Sequence, residues 1–247
     1  MSLRSILLLL SFFSFVACSS NEKEKPYLIG RDKSWYALNL MGKEKNLQAF
    51  SDDVLYAIAN EMGFHVDLDP SLGHTLQDGL QTGPYDALVS AIQPSSREQE
   101  IYNDSDPFFL LGPVLIVQEN STATSLNDMK DKVVGFRAGT PLIFTTEKAP
   151  FIIFTPYDNI LFALRNLDQG HIDGVIMDAV PAIEYTNSFY KGDLKVVTGP
   201  LTNDGLRLIT LRNRRGNHLV ELFDEGLKKI KADGTYEQLL KKWNLLH

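Results

Sequence analysis

Along the chain, short apolar runs alternate with segments of helical period. Tyr27-Leu28-Ile29-Gly30 reads as a buried strand ended by glycine. Ser51-Asp52-Asp53 are expected to cap a helix with Val54, Leu55, Ile58, Ala59 and Met62 on one face, stopped by Gly63. Phe64 to Leu68 alternates as a strand, Leu76 to Leu80 suits a short helix, and Ala87 to Ala91 is a second apolar strand. A new series follows Pro107-Phe108-Phe109. It predicts strands over Pro113 to Val117 and Val133 to Phe136, then a helix from Asn159 to Leu167 stopped by Gly170. A strand over Ile172 to Met177, a helix from Ala179 to Tyr185 and a strand at Lys195 to Val197 complete it. The tail adds a strand at Leu206 to Leu211 and an amphipathic helix carrying Leu219, Leu222, Phe223, Leu227 and Ile230. Gly234 ends that helix, and a short one runs from Tyr236 to Trp243.

This rhythm belongs to parallel α/β sheets. Two such series with a segment left over predict two lobes. Ligands in open α/β sheets sit outside the carboxyl ends of the strands, and between lobes when there are two.

Composition narrows the field. The 247 residues carry 24 Lys plus Arg against 31 Asp plus Glu, a net charge of −7. An acidic chain without a Lys/Arg-rich run lacks the electrostatic footprint of nucleic-acid binding. The five histidines show no HxxxH or HxH spacing, so no metal is expected, and no cofactor fingerprint or nucleophile elbow is present. The single cysteine, Cys18, excludes an internal disulfide, a Cys-based zinc site and a CxxC redox motif.

The position of Cys18 changes the picture more than its number does. Arg4 precedes the uncharged run Ile6 to Val16, too short to span a bilayer comfortably. A charged start, a short apolar core and a small residue before a cut form a secretory signal. The ending Phe15-Val16-Ala17-Cys18 resembles the lipobox of bacterial lipoproteins, in which the cysteine is lipidated and becomes the first mature residue. A plain signal peptide with an incidental Cys18 is the alternative. The resemblance implies a signal peptide over residues 1–17 and an anchor at Cys18, with residues 18–26 as a polar, flexible tether. Cleavage removes one positive charge and leaves the mature chain at −8.

Five further stretches carry a second resemblance. They are Leu80 to Ala87 (LQTGPYDA), Pro94 to Glu100 (PSSREQE) ahead of Pro107-Phe108, and Val134 to Thr140 (VGFRAGT). Leu167 to Asp178 (LDQGHIDGVIMD) and the closing Asp233-Gly234-Thr235 with Lys242-Trp243 complete the set. In this order and spacing, from Tyr27 to Leu245, the chain resembles the family 3 extracellular solute-binding proteins of polar amino-acid ABC importers. The resemblance implies a type II periplasmic-binding-protein fold, with a ligand cleft between lobes joined by a two-strand hinge. Lobe 1 would span 27–110 with 203–247, and lobe 2 would span 111–202.

The chemistry suits an amino acid. Arg97 offers a planar fork for a carboxylate, the work that the resembled family gives an arginine at this place. Backbone groups near Ser90 and Ile92 would add to it, and N–H groups of Gly139 and Thr140, at a turn expected to open a helix, would give a second carboxylate contact. Asp178, just past its strand, is the expected ammonium partner, with helix capping as its simpler role. The resemblance puts an aromatic, here Trp35, against the ligand side chain. Arg97 on one lobe and Asp178 on the other would require hinge closure.

Several departures bear on specificity. Ala37-Leu38 replaces a usual Pro-Phe, Ile92 a usual hydroxyl residue, and Leu72-Gly73-His74 a second aromatic. Arg137 makes the pocket more cationic and Asp32 weighs the other way, which leans the ligand toward glutamine or glutamate.

The expected function is non-enzymatic capture of an amino acid by a monomer in the periplasm or cell envelope. It would be held to the membrane through Cys18 and deliver to an ABC permease and ATPase. A cyclohexadienyl-type dehydratase on the same scaffold, with Glu147 or His74 near the cleft, is an alternative. A sensory or surface receptor that no longer transports is another.

Overall fold

The computed structural model describes residues 25–71, 73–140 and 149–245. Cys18, the leader, Glu147 and the segment after Thr140 lie outside them. The strands are β1 (Tyr27–Arg31), β2 (Val66–Leu68), β3 (Ala87–Ser90), β4 (Tyr102–Asp104), β5 (Phe109–Leu110) and β6 (Pro113–Gln118). They continue with β7 (Val133–Arg137), β8 (Ile153–Tyr157), β9 (Gly174–Asp178), β10 (Leu194–Val196) and β11 (Gly205–Leu211). The α-helices are α1 (Glu44–Met62), α2 (Ile160–Asp168), α3 (Ala179–Asn187), α4 (Arg214–Ala232) and α5 (Thr235–Lys242).

The apolar runs sort into two sheets. One has the order β2-β1-β3-β11-β4, with β5 also paired to β11. The other has the order β10-β6-β9-β7-β8. In the first, β1 is parallel to β2 and β3, and β11 runs antiparallel to β3 and β4. In the second, β7 is parallel to β8 and β9, while β6 is antiparallel to β9. The run Pro113-Val114-Leu115-Ile116-Val117 is continuously apolar because β6 is buried on both faces. Val114 and Ile116 join one core, with Leu164, Leu167 and Val175, while Leu115 and Val117 join another, with Val134 and Ile176.

The first sheet's core lies under α1 and α4, where Phe50, Val54 and Ile58 meet Leu219, Phe223 and Leu227. Phe50 packs edge-on against Phe109 and Tyr236, each at 5.5 Å between ring centroids. Each such side chain withdrawn from water stabilises the fold by roughly 1.5–3 kcal/mol.

The chain passes between the sheets twice, after β5 and before β11, and the two passages lie side by side. The N–H groups of Leu111 and Gly112 both donate to the Asp204 carbonyl, at 2.8 and 3.1 Å. Leu110 is also paired with Gly205. This is the expected two-strand hinge.

The structure departs from the sequence expectations at two helices and adds strands that the apolar pattern does not announce, β4, β5 and β8. Helix α1 begins at Glu44, seven residues before Ser51. The three residues expected to cap it are interior: Ser51 is buried, Asp52 pairs with Arg31, and Asp53 receives Lys242 Nζ and Trp243 Nε1. Strand β8 contains Pro156, which a sheet tolerates at its edge, and β8 is the outer strand paired only with β7. The helix expected at Leu76 to Leu80 is a five-residue π turn, Gln77–Gln81.

Candidate functional site

The carboxyl ends of β1, β3, β7 and β9 carry Arg31-Asp32, Ser90-Ala91, Arg137 and Asp178. Between the two sheets, beside the hinge, lies a cavity of about 190 Å³. Leu38, Asn39 and Ala91 line it from the first sheet's side, Asp178 and Pro181 from the second's, and Leu111 and Asp204 from the hinge. Larger hollows of about 570 and 690 Å³ open elsewhere, at the amino ends of β7 and β9 and beside Tyr27, away from these residues. Lys43 Nζ reaches Glu184 of α3 at 2.7 Å, and Val180 is buried in the first sheet's core, so α3 touches both sides.

Asp32 is 4% exposed. One carboxylate oxygen accepts from the Ser34 N–H at 3.0 Å and from the Ser34 hydroxyl, and the other from the Ser90 hydroxyl at 2.8 Å. The two serine oxygens in turn accept from Ala91 N–H (2.9 Å) and Ile92 N–H (3.0 Å). Burial raises the Asp32 pKa, opposed by the bonds from Ser34 and Ser90. Asp32 and Ser90 therefore brace the segment Ser90–Ile92 from beneath. Ser34 carries a local signal in the sequence, since Asp-x-Ser favours such a side-chain turn.

Trp35 is also turned inward. It is 5% exposed, its Nε1–H donates to Val89 O at 2.9 Å, and its ring belongs to the core. The exposed aromatic of the same turn is Tyr36, 69% exposed. Ile92 is 58% exposed, an apolar side chain at the end of the braced segment.

Arg97 is exposed; its carbonyl accepts from Glu100 N–H at 3.3 Å, and its guanidinium makes no hydrogen bond or ion pair among the described residues. At the end of β7, Arg137, Ala138, Gly139 and Thr140 form a tight turn. Gly139 has a φ of 81°, and Thr140 N–H donates to Arg137 O at 3.1 Å. This internal bond engages the Thr140 donor expected to meet a carboxylate.

Asp178 occupies the cap position of α3, yet its side chain makes no capping bond. Its carboxylate reaches solvent in the cleft but is surrounded by protein, and that desolvation raises its pKa. The nearby Arg137 charge opposes the rise and Asp204 adds to it. The structure thus brings Asp178, Arg137 and Asp204 into one electrostatic group, and Asp32, Ser90 and Ile92 into another. Asp204 carried no sequence signal, because only the hinge crossing carries it to Asp178.

His74 is tied to the first sheet: its Nε2 lies 2.9 Å from the Tyr85 hydroxyl, which donates to Asp69. The bonds from Ser71 and Tyr85 hold the Asp69 carboxyl down to about 2. Among the described residues there is no group of three His, Cys, Asp or Glu able to hold a metal ion. No helix among them is long and apolar enough to cross a membrane.

Two α/β sheets joined by a two-strand hinge, with charged groups in the cleft that form no ion pair among the described residues, define a two-lobed binding protein. The chain belongs to the bacterial extracellular solute-binding proteins, family 3, whose pattern it matches over residues 27–246. It is 29% identical over 202 residues to the putative ABC transporter arginine-binding protein 2 of Escherichia coli (strain K12), covering 78% of this chain and 80% of that one. It is 26% identical over 166 residues to the ABC transporter glutamine-binding protein of Bacillus subtilis (strain 168), covering 66% and 59%. The unliganded, open L-cystine solute receptor of Neisseria gonorrhoeae has the same fold, with a TM-score of 0.65 and 20% identity over 88% of this chain and 92% of that one.

Proposed function

We propose that the mature chain captures a polar amino acid between its two lobes and delivers it to the permease and ATPase of an ABC importer, without catalysis. The observation that carries this reading is Asp178: a carboxylate in a sheltered cleft that neither caps its helix nor forms an ion pair among the described residues. Surrounding protein partly dehydrates this carboxylate, and a ligand ammonium favours its charged form. Arg97, equally uncommitted, takes the carboxylate when lobe 1 (27–110 with 203–247) closes on lobe 2 (111–202).

Specificity follows from the charges around the cleft. Asp178 and Asp204 balance Arg97 and Arg137, which matches a zwitterion with an uncharged polar side chain. Glutamine fits this balance, ahead of glutamate. Named relatives bind amino acids of different charge, arginine and glutamine among them, so the balance of this chain's own cleft decides.

The protein acts as a monomer at the cell envelope, held by lipid on Cys18 through the tether 18–26. Arg215 supports an ordered exit for that tether, since its guanidinium bonds to the carbonyls of Lys25 and Pro26. Cys18→Ser is expected to release the protein from the membrane fraction of its host; retention contradicts the anchor.

The test of capture is calorimetric. Asp178→Ala is expected to weaken amino-acid binding by at least about 100-fold, since truncation leaves the ammonium unpaired, and Arg97→Ala to act similarly on the carboxylate end. Unchanged affinity in both variants contradicts the reading.

A further inference from the structure

We propose that Asp204 is a second ligand-facing carboxylate, carried by the hinge, and that it couples the ligand's positive charge to lobe closure. The proposal rests on amino-acid capture in the cleft and adds to it a residue that lies in neither lobe's sheet.

Three observations support it. First, Asp204 lines the same cavity as Asp178, and no lysine or arginine is among the described residues that line it. Second, the two carboxylates sense one another: burial raises the Asp178 pKa most, the Arg137 charge opposes that rise, and the Asp204 charge adds a smaller rise of its own.

Third, Asp204 is fixed by the hinge itself. Its carbonyl accepts from both Leu111 and Gly112 on the opposite crossing. Its Oδ2 accepts from the Thr202 hydroxyl at 2.6 Å. Thr202 in turn abuts Gly112 so closely that a Cβ there would stand 2.3 Å from Thr202 Oγ1 and 3.0 Å from its carbonyl oxygen. Only glycine permits the two crossings to touch at this point. The direction of the Asp204 carboxylate is therefore set where the lobes pivot.

The consequence is a charge gate. Asp178 sits on the second lobe and moves with it, while Asp204 stays at the pivot. Without a ligand, closure further dehydrates two like charges in one small cavity, and their repulsion opposes it. An ammonium arriving between them removes that repulsion and makes closure dependent on occupancy. A ligand lacking a positive charge gains nothing from the pair, so Asp204 also selects for amino acids over the corresponding acids.

Asp204→Asn in the full mature chain separates charge from structure, because the amide oxygen still accepts from Thr202 and the backbone bonds are untouched. Two measurements decide. In the ligand-free protein, carboxyl-carbon NMR titration is expected to show Asp178 ionising at lower pH in Asp204→Asn than in wild type. At pH 7, calorimetry with the amino acid that the wild type binds is expected to show about tenfold weaker affinity. An Asp178 titration that does not move, or an affinity within twofold of wild type, overturns the proposal. If the wild type binds none of the twenty amino acids, the capture reading itself has failed. If it binds one and Asp204→Asn binds it equally, only the role of Asp204 has failed.

Discussion

Asp32→Ala is expected to lower stability by roughly 3 kcal/mol and to weaken ligand binding more than tenfold. The carboxylate accepts three hydrogen bonds in a site that water does not reach, from Ser34 N–H, Ser34 Oγ–H and Ser90 Oγ–H. Alanine strands all three donors, and each buried group left unpaired costs about 1–3 kcal/mol. Removal of a carboxylate whose ionisation burial already disfavours returns part of that sum. For a domain of this length, the net loss corresponds to a Tm lower by about 6–12 °C. The effect on binding arises because Ser34 and Ser90 hold Ala91 and Ile92, and Ala91 lines the cleft.

Asp32→Asn is expected to cost less, since its amide oxygen still accepts from part of this set. The pH dependence gives a second check. A carboxyl with a raised folded pKa contributes stability below its unfolded value that is lost as pH rises through the folded one. The wild type should lose stability relative to Asp32→Asn on that upward path. Equal unfolding curves for wild type and Asp32→Ala in urea would contradict the bracing role.

Arg207→Met is expected to cost about 3–5 kcal/mol, the range for breaking a buried ion pair from one side. The Arg207 side chain is 3% exposed and Asp104 16%, with Nη1 to Oδ2 at 2.9 Å. Nη2 donates to Asn203 O at 2.8 Å, immediately before Asp204, so the same guanidinium fastens the second hinge crossing to the first sheet. Methionine fills much of the volume but leaves a desolvated carboxylate and a loosened hinge. Replacing both partners, Arg207→Met with Asp104→Leu, should recover much of the loss because no buried charge then remains. Denaturation of the two single variants and the double variant measures this. A double variant as unstable as Arg207→Met would show that the pair's charge is not the cause.

The parts of the fold legible in the sequence are those written in local pattern. The unbroken runs of β3, β6 and β9 announce strands buried on both faces, and Asn159 caps α2 as its position suggests. The start of helix α1 is not legible, because Lys43, at the cap position, contributes no capping side chain, whereas Ser51, Asp52 and Asp53 have the look of a cap. Their partners, Arg31, Lys242 and Trp243, are distant in sequence. The site divides in the same way. Asp178 follows from its place at the end of an apolar strand. Trp35 does not, since its burial depends on the Val89 carbonyl, 54 residues away. Asp204 becomes part of the cleft only through the return crossing of the hinge, which leaves no local trace.

In the proposed function, this chain closes on a polar amino acid whose ammonium meets Asp178. Calorimetric titration of the mature protein against all twenty amino acids tests it most directly. Micromolar binding is expected for only one or two polar amino acids, glutamine before glutamate, with its loss in Asp178→Ala. No heat from any of the twenty, or equal binding by Asp178→Ala, would contradict it.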